Sequence, residues 1–141
     1  MDKRLEINIE VKNAMVKALF ILLEQKPLSD ITVKELVKKA GVARASFYRN
    51  FKTKEDVIIY FLNTLLLQYK EKYAADLAHI ARYDNVLRTF NYVLSYKMEL
   101  QSLFQAKLGQ MFLDAINDYI ITSTVYANYD LSLINGVNSE V

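Results

Sequence analysis

Apolar residues recur every three or four positions along most of this chain, and that spacing predicts helices rather than strands. We expect helices over about 8–25, 32–40, 43–50, 54–75, 84–96, 98–104 and 107–123. Residues 1–7 read as a mobile charged arm, and residues 124–141 as a loop with a partial helix. In the helix over 84–96 the residues expected to point inward are Val86, Leu87, Phe90, Val93 and Leu94. The pattern therefore predicts an all-α protein.

Start and stop signals are strongest between residues 27 and 41. Pro27 ends the first helix, because proline disfavours the α conformation of the residue before it. Thr32 and Glu35 have the spacing of a capping box, in which each side chain binds the other residue's backbone amide. Gly41 follows the last apolar position, where a left-handed C-cap is usual. Two helices joined by so short a glycine-containing turn predict a helix-turn-helix.

The second helix of this motif has two chemically different faces. Phe47 and Phe51, one turn apart, are expected to enter a core with Val42. The opposite face carries Arg44, Ala45, Tyr48 and Arg49. Such a face suits a recognition helix in the major groove of DNA, whereas the simpler alternative is a solvated surface. The agreement of capping box, glycine turn and aromatic pair favours DNA binding.

Four short motifs carry a family resemblance: T-x-x-E-L from residue 32, AGVA from 40, SFYRNF from 46 and KTKED from 52. In this order and spacing, the chain resembles the tetracycline-repressor (TetR/AcrR) family of bacterial transcription regulators over roughly residues 8–62. The resemblance implies a three-helix DNA-binding domain at 1–53. It also implies a helical regulatory and dimerisation domain at 54–141, which is short for the family.

The same resemblance implies nine residues that contact DNA. Arg44, Ala45 and Tyr48 match positions that face base edges, where arginine binds guanine and alanine meets a thymine methyl group. Thr32 and Lys34 match positions that contact phosphate and sometimes a base. The remaining matches, to positions that contact the DNA backbone, are Ser46, Arg49, Asn50 and Lys54.

Charge is distributed unevenly along the chain. Residues 1–54 carry twelve basic and six acidic residues, so their net charge is positive. Residues 55–141 carry six basic and ten acidic residues, so their net charge is negative, and the whole chain has a net charge of +2. Six of the twelve basic residues lie within residues 38–54. A basic N-terminal part followed by an acidic remainder is expected when only the first part meets phosphate.

Other chemistry is sparse. The chain has no cysteine, its one histidine is His79, and its three glycines form no phosphate loop. We therefore expect no enzyme activity, no metal site and no cofactor. No apolar run approaches the ~20 residues that a membrane span needs, and no signal peptide is evident, so we expect a location in the bacterial cytoplasm.

These observations favour a homodimeric regulator that binds an operator in double-stranded DNA, with repression released by a small-molecule effector. The many tyrosine and other aromatic residues after residue 65 are mild support for an effector pocket, although its lining residues are unknown. One alternative is a helical protein-interaction module controlled by a partner protein. Another is a small-molecule binding protein that no longer reads DNA.

Overall fold

The computed structural model describes residues 2–73 and 83–126, and every regular element within them is helical, as predicted. The helices follow one another as α1 (Lys3–Leu23), α2 (Val33–Ala40), α3 (Arg44–Asn50), α4 (Lys54–Tyr73), α5 (Tyr83–Leu94), α6 (Lys97–Gln105) and α7 (Gly109–Tyr126). A single 3-10 turn, Leu28–Asp30, joins α1 to α2.

The helix-turn-helix is formed by α2 and α3, with the predicted signals at both ends of α2. The Thr32 hydroxyl accepts from the Glu35 amide at 3.1 Å, and a Glu35 carboxylate oxygen accepts from the Thr32 amide at 2.9 Å. At the other end Gly41 has a φ of 69°, and the Val42 amide donates to the Val37 carbonyl at 3.0 Å. This is a Schellman cap, which needs the left-handed conformation that glycine adopts without strain.

The prediction of a mobile N-terminal arm at residues 1–7 is wrong, because α1 already begins at Lys3. Asp2 caps it by accepting from the Arg4 amide at 3.0 Å, and Glu6 places a negative charge in the first turn. Both interactions favour a helix N-terminus. The exposed residues there lack the apolar spacing that located the rest of α1.

One continuous apolar core runs through the described residues. Leu19, Leu36 and Phe47 are fully buried at the helix-turn-helix end, and Leu103 is equally buried in α6. Helix α1 contacts α2, α4 and α6, and α4 contacts α7. The core therefore crosses the predicted boundary at residue 53, and the division into two domains stays a prediction.

Helix α5 faces the opposite way from the prediction. Val86, Leu87, Phe90 and Leu94 are exposed, with Phe90 retaining 64% of its accessible surface, and Val93 is only partly buried. The side that meets α4 carries Tyr92, which donates to the Leu65 carbonyl at 2.8 Å, and Tyr96, in the turn after α5, donates to Gln68 at 3.1 Å. These hydrogen bonds satisfy phenol groups that would be costly to bury alone.

Two predicted helix starts also shift. Helix α5 begins at Tyr83, so Asp84 lies in its first turn rather than capping it. Helix α7 begins at Gly109 rather than Lys107, because Lys107 has a φ of 60° in the turn that ends α6. The Leu108 amide donates to the Leu103 carbonyl at 2.8 Å there, so the turn repeats the cap seen at Gly41.

The predictions for His79 and for residues 127–141 lie outside the described residues. Within residues 2–73 and 83–126, no helix combines the length and apolar character needed to cross a membrane.

Candidate DNA-binding surface

Packing of the aromatic residues sets the rotation of α3. Phe47 is fully buried, and its ring lies 6.0 Å from that of Phe51, which is also buried. Phe51 in turn contacts the ring of Tyr60 on α4 at 5.9 Å. With that side fixed in the core, Arg44, Ala45, Tyr48 and Arg49 are all exposed, as predicted.

Arg44 and Tyr48 form a pair on this exposed face. The Arg44 guanidinium lies 5.6 Å from the centre of the Tyr48 ring and donates to its hydroxyl at 3.3 Å. The Tyr48 ring also meets Phe47 edge-on at 5.2 Å. The pair therefore has a defined position before any ligand arrives, which reduces the side-chain entropy lost on binding.

Along the C-terminal part of α3, Ser46 forms hydrogen bonds with both Arg49 and Asn50. Arg49 donates to the Ser46 hydroxyl at 3.0 Å, and the side-chain Nδ2 of Asn50 donates to the Ser46 carbonyl at 2.8 Å. Arg49 and Asn50 also line a cleft against the first turns of α1, near Arg4. Arg49 is exposed, whereas Asn50 is half-buried, with part of its hydrogen-bonding capacity used within the helix.

The N-terminus of α2 is held by a charged network. Lys26 forms an ion pair with Glu35 at 2.6 Å, and the Thr32 hydroxyl also donates to Glu35 at 2.9 Å. The Lys26 hydrogen bond, followed by those from Thr32, lowers the pKa of Glu35 to about 2. Thr32 is thus engaged in capping, while Lys34, in the first turn of α2, is exposed and has no ion-pair partner among the described residues.

Lys54 differs from the other predicted contact residues. Its ammonium group donates to the Leu28 carbonyl at 2.6 Å and to the Ile31 carbonyl, so it links the start of α4 to the segment that precedes α2. The side chain is half-buried. The predicted phosphate contact of Lys54 stays a prediction, and any such contact would use the remaining donor proton of the ammonium.

A link between α1 and α4 through Tyr60 was not predicted. Tyr60 donates to the Asn13 side chain at 3.4 Å, and the Lys12 ammonium lies 5.1 Å from the centre of the Tyr60 ring. These contacts hold α4 against α1 beside the helix-turn-helix. Nothing in the spacing of these residues signals a pair 47 positions apart.

The start of α4 has the same kind of capping box as the start of α2, with Thr53 as the predicted N-cap residue. Asp56 accepts from the Thr53 amide at 2.8 Å and from the Lys52 amide at 2.9 Å, while the Asp56 amide donates to the Thr53 hydroxyl at 3.3 Å. The Thr53 amide is the main reason that the pKa of Asp56 is lowered. The cap orients α4 as it leaves the helix-turn-helix.

Positive charge on α2 and α3 is not neutralised by ion pairs. Among the described residues, the Lys26–Glu35 pair is the one salt bridge. The exposed cations beside it are Lys34, Lys38, Lys39, Arg44, Arg49 and Lys52. Unpaired cations on one unit raise the local potential and attract polyanions.

Comparison with known proteins finds similarity in the same part of the chain. Residues 16–60 match the family of bacterial regulatory proteins described as the tetR family. The HTH-type transcriptional regulators EthR of Mycobacterium tuberculosis and Mycobacterium bovis are each 45% identical over 47 residues. That match covers 33% of this chain and 22% of each relative, so the chain spans about a fifth of the length of these curated relatives. No solved structure matches the chain.

The matched residues contain α2, α3 and the parts of α1 and α4 that pack on them. The capped helices and the buried Phe47 described above therefore lie inside the region of similarity. Residues 16–60 of this chain are therefore similar to the helix-turn-helix region of the tetR family of bacterial regulatory proteins.

Proposed function

We propose that this chain is a sequence-specific DNA-binding transcriptional regulator. The observation that carries the proposal is the orientation of α3, whose buried Phe47 leaves Arg44, Ala45 and Tyr48 exposed together on its first turns. The N-terminal residues of a recognition helix are those that reach base edges in the major groove. A binding role of this kind also accounts for the expectation that the chain is not an enzyme.

Each exposed side chain suits a distinct part of a DNA duplex. An arginine such as Arg44 binds guanine O6 and N7 through two hydrogen bonds, and Ala45 suits a thymine methyl group. When the protein binds DNA, Arg44 would exchange its hydrogen bond to the Tyr48 hydroxyl for hydrogen bonds to the base. Lys34 and Arg49 supply charge to phosphates, which fixes the register of the helix without reading sequence.

We further propose that the regulator acts as a homodimer. One helix-turn-helix covers too little DNA for tight specific binding, and two copies reading half-sites about one helical turn apart solve this problem. We propose repression as the outcome, because a protein seated on an operator blocks access to it.

We propose that an effector releases repression by binding in a cleft beside α5. Its lining combines aromatic rings with two cations: Lys72, Tyr73, Asp84, Leu87, Arg88, Asn91, Tyr92 and Ser95. Lys72 and Arg88 each lie 5.4 Å from the centre of the Tyr73 ring. A small aromatic effector fits such a lining, because it can stack on the rings.

A selection of bound sequences from a random duplex pool tests the DNA-binding proposal. We expect one enriched motif, and for the homodimer a motif with two related halves. Arg44→Ala should lose preference at one base position of each half, whereas Leu113→Ala on α7 is the matched control and should select the wild-type motif. A pool that shows no enrichment above the unselected library refutes sequence-specific binding.

A salt series separates this proposal from a protein that has lost DNA binding. A DNA reader shows log K falling steeply with log salt, because each phosphate contact releases counterions. Little affinity for any duplex at low salt would favour a module that binds proteins or small molecules instead.

A further inference from the structure

The first turns of α1 contribute no buried residue to the core. The helix begins at Lys3, but the first residue that it buries is Met15. Residues 2–7 are all exposed, and Leu5 and Ile7 each retain 51% of their accessible surface. Packing in the core therefore does not account for this part of the chain.

These turns form one side of a cleft of about 620 Å³, and the C-terminal end of α3 forms the other. Arg4 lines the cleft from α1, and Arg49 and Asn50 line it from α3. Both arginines are exposed, and neither belongs to the one ion pair among the described residues. Arg49 donates to Ser46 through a single nitrogen, which leaves most of the five donors of its guanidinium for another partner. Two cations from different helices therefore line one cleft.

Much of the remaining lining of the cleft is apolar. It includes Leu5, Ile7 and Val11, together with the carboxylate of Asp2. By helical spacing Arg4 shares one face of α1 with Ile7 and Val11. A sugar–phosphate strand suits these groups, because guanidinium groups bind phosphate through paired hydrogen bonds and apolar side chains can contact deoxyribose. A free inorganic anion would leave the apolar side chains without a contact.

We propose that this cleft receives the DNA backbone beside the groove in which α3 lies, and that Arg4 contacts a phosphate next to the one that Arg49 contacts. The residues of a recognition helix that reach base edges are at its N-terminal end. That arrangement leaves the C-terminal end of α3, with Arg49 and Asn50, for the strand that borders the groove. The first turns of α1 lie across the cleft from this end, so they meet the same strand. The inference rests on the proposed DNA binding and adds a contact residue outside the matched residues 16–60.

The position of Arg4, and not the net charge of its segment, is expected to produce this contact. Residues 2–7 carry two cations, Lys3 and Arg4, and two carboxylates, Asp2 and Glu6, so their charges cancel. Arg4 and Asp2 line the cleft. Lys3 and Glu6 lie on other faces of α1, because successive residues of a helix are about 100° apart. Salt screens exposed charges beyond about 8 Å at physiological ionic strength, so a group in the cleft should act on a bound phosphate more strongly than its neighbour outside it.

The salt dependence of binding to a random duplex tests the contact. Arg4→Gln should reduce the slope of log K against log salt by about 0.9, because one phosphate contact is lost, and should leave the melting temperature unchanged. Lys3→Gln removes the same charge one residue away and is the matched control, with a wild-type slope expected. An unchanged slope for Arg4→Gln, or equal losses for the two variants, overturns this inference alone. A wild type without affinity for any duplex would instead refute the proposed DNA binding.

Ethylation interference on a duplex with the selected motif locates the contact, since it detects each phosphate that the protein needs. Arg4→Gln and Arg49→Gln should each lose one interfering phosphate, and the two phosphates should be neighbours on one strand. Phosphates on different strands overturn the shared cleft.

The variant Asp2→Asn should have the opposite effect. Asparagine caps a helix as well as aspartate does, so α1 should keep its start while the cleft loses a negative charge. Duplex affinity should rise severalfold, and Glu6→Gln, which removes a carboxylate from another face of α1, should change it much less. Equal effects of the two variants would attribute any gain to net charge and overturn the role of the cleft.

Discussion

Replacing Lys54 by methionine separates two roles of a residue that links α4 to the helix-turn-helix. The substitution keeps most of the aliphatic side chain and removes the hydrogen bonds to the Leu28 and Ile31 carbonyls. A hydrogen bond to a charged group contributes about 1.5–3 kcal/mol. Lys54 is only half-buried, and the Leu28 carbonyl keeps a bond from the Ile31 amide at 3.2 Å. We therefore expect a total loss of about 2 kcal/mol.

Thermal melting without DNA measures this loss. For a chain of this size a loss of about 2 kcal/mol lowers the melting temperature by roughly 4–8 °C. The salt dependence of binding to a random duplex measures the second role separately. Each phosphate contact that is lost reduces the slope of log K against log salt by about 0.9.

Lys34→Met is the matched control, because Lys34 is exposed on α2 and has no ion-pair partner among the described residues. It should melt as the wild type does and reduce the salt slope. Lys54→Met should lower the melting temperature, and its salt slope reports whether the ammonium also meets phosphate. A Lys54→Met protein with wild-type melting and a reduced slope would refute the stabilising role inferred from the two carbonyl contacts.

Three further predictions concern the helix-turn-helix. Arg44→Ala should weaken binding to the selected motif by about 1–3 kcal/mol while changing random-duplex affinity much less; equal losses on both duplexes would mean that Arg44 touches phosphate alone. Phe47→Ala removes a fully buried ring and should lower the free energy of unfolding by ~3–5 kcal/mol in denaturant melts, whereas an unchanged midpoint would place the ring outside the core. The pKa of Glu35 is lowered to about 2, below its ordinary value near 4.3, so its stabilising effect is complete above that value and is lost as pH falls from about 4 towards 2. Melting Glu35→Gln and the exposed control Glu24→Gln across this range should show a weaker acid dependence for Glu35→Gln, and identical profiles would contradict the assignment.

The sequence predicted α2 and α3 almost to the residue because their signals are local. A capping box and a left-handed glycine each involve residues within a few positions, so their chemistry can be read without knowing the tertiary fold. The facing of α3 followed from Phe47 and Phe51, since two aromatic rings one turn apart require a common apolar environment. The exposure of Arg44, Ala45, Tyr48 and Arg49 then follows from helix geometry.

The facing of α5 could not be predicted in the same way. An apolar stripe indicates which side of a helix needs a partner, but not whether that partner lies in the same chain. Tyr92, on the opposite side, and Tyr96, in the turn after α5, donate to groups on α4, and such hydrogen bonds across 27 and 28 residues leave no periodic signal. Lys54 presents the same difficulty, because its carbonyl partners lie 26 and 23 positions earlier.

The continuous core has a consequence for cooperativity. Helix α1 contacts α2, α4 and α6, and most of the buried apolar residues of the described helices form one cluster. The helices should therefore unfold in one transition, and their most protected amides should exchange with solvent through the same global opening. A ligand bound at the exposed face of α3 would stabilise the native state as a whole, so slower hydrogen exchange would also be expected at Leu103 in α6, at the opposite end of the core.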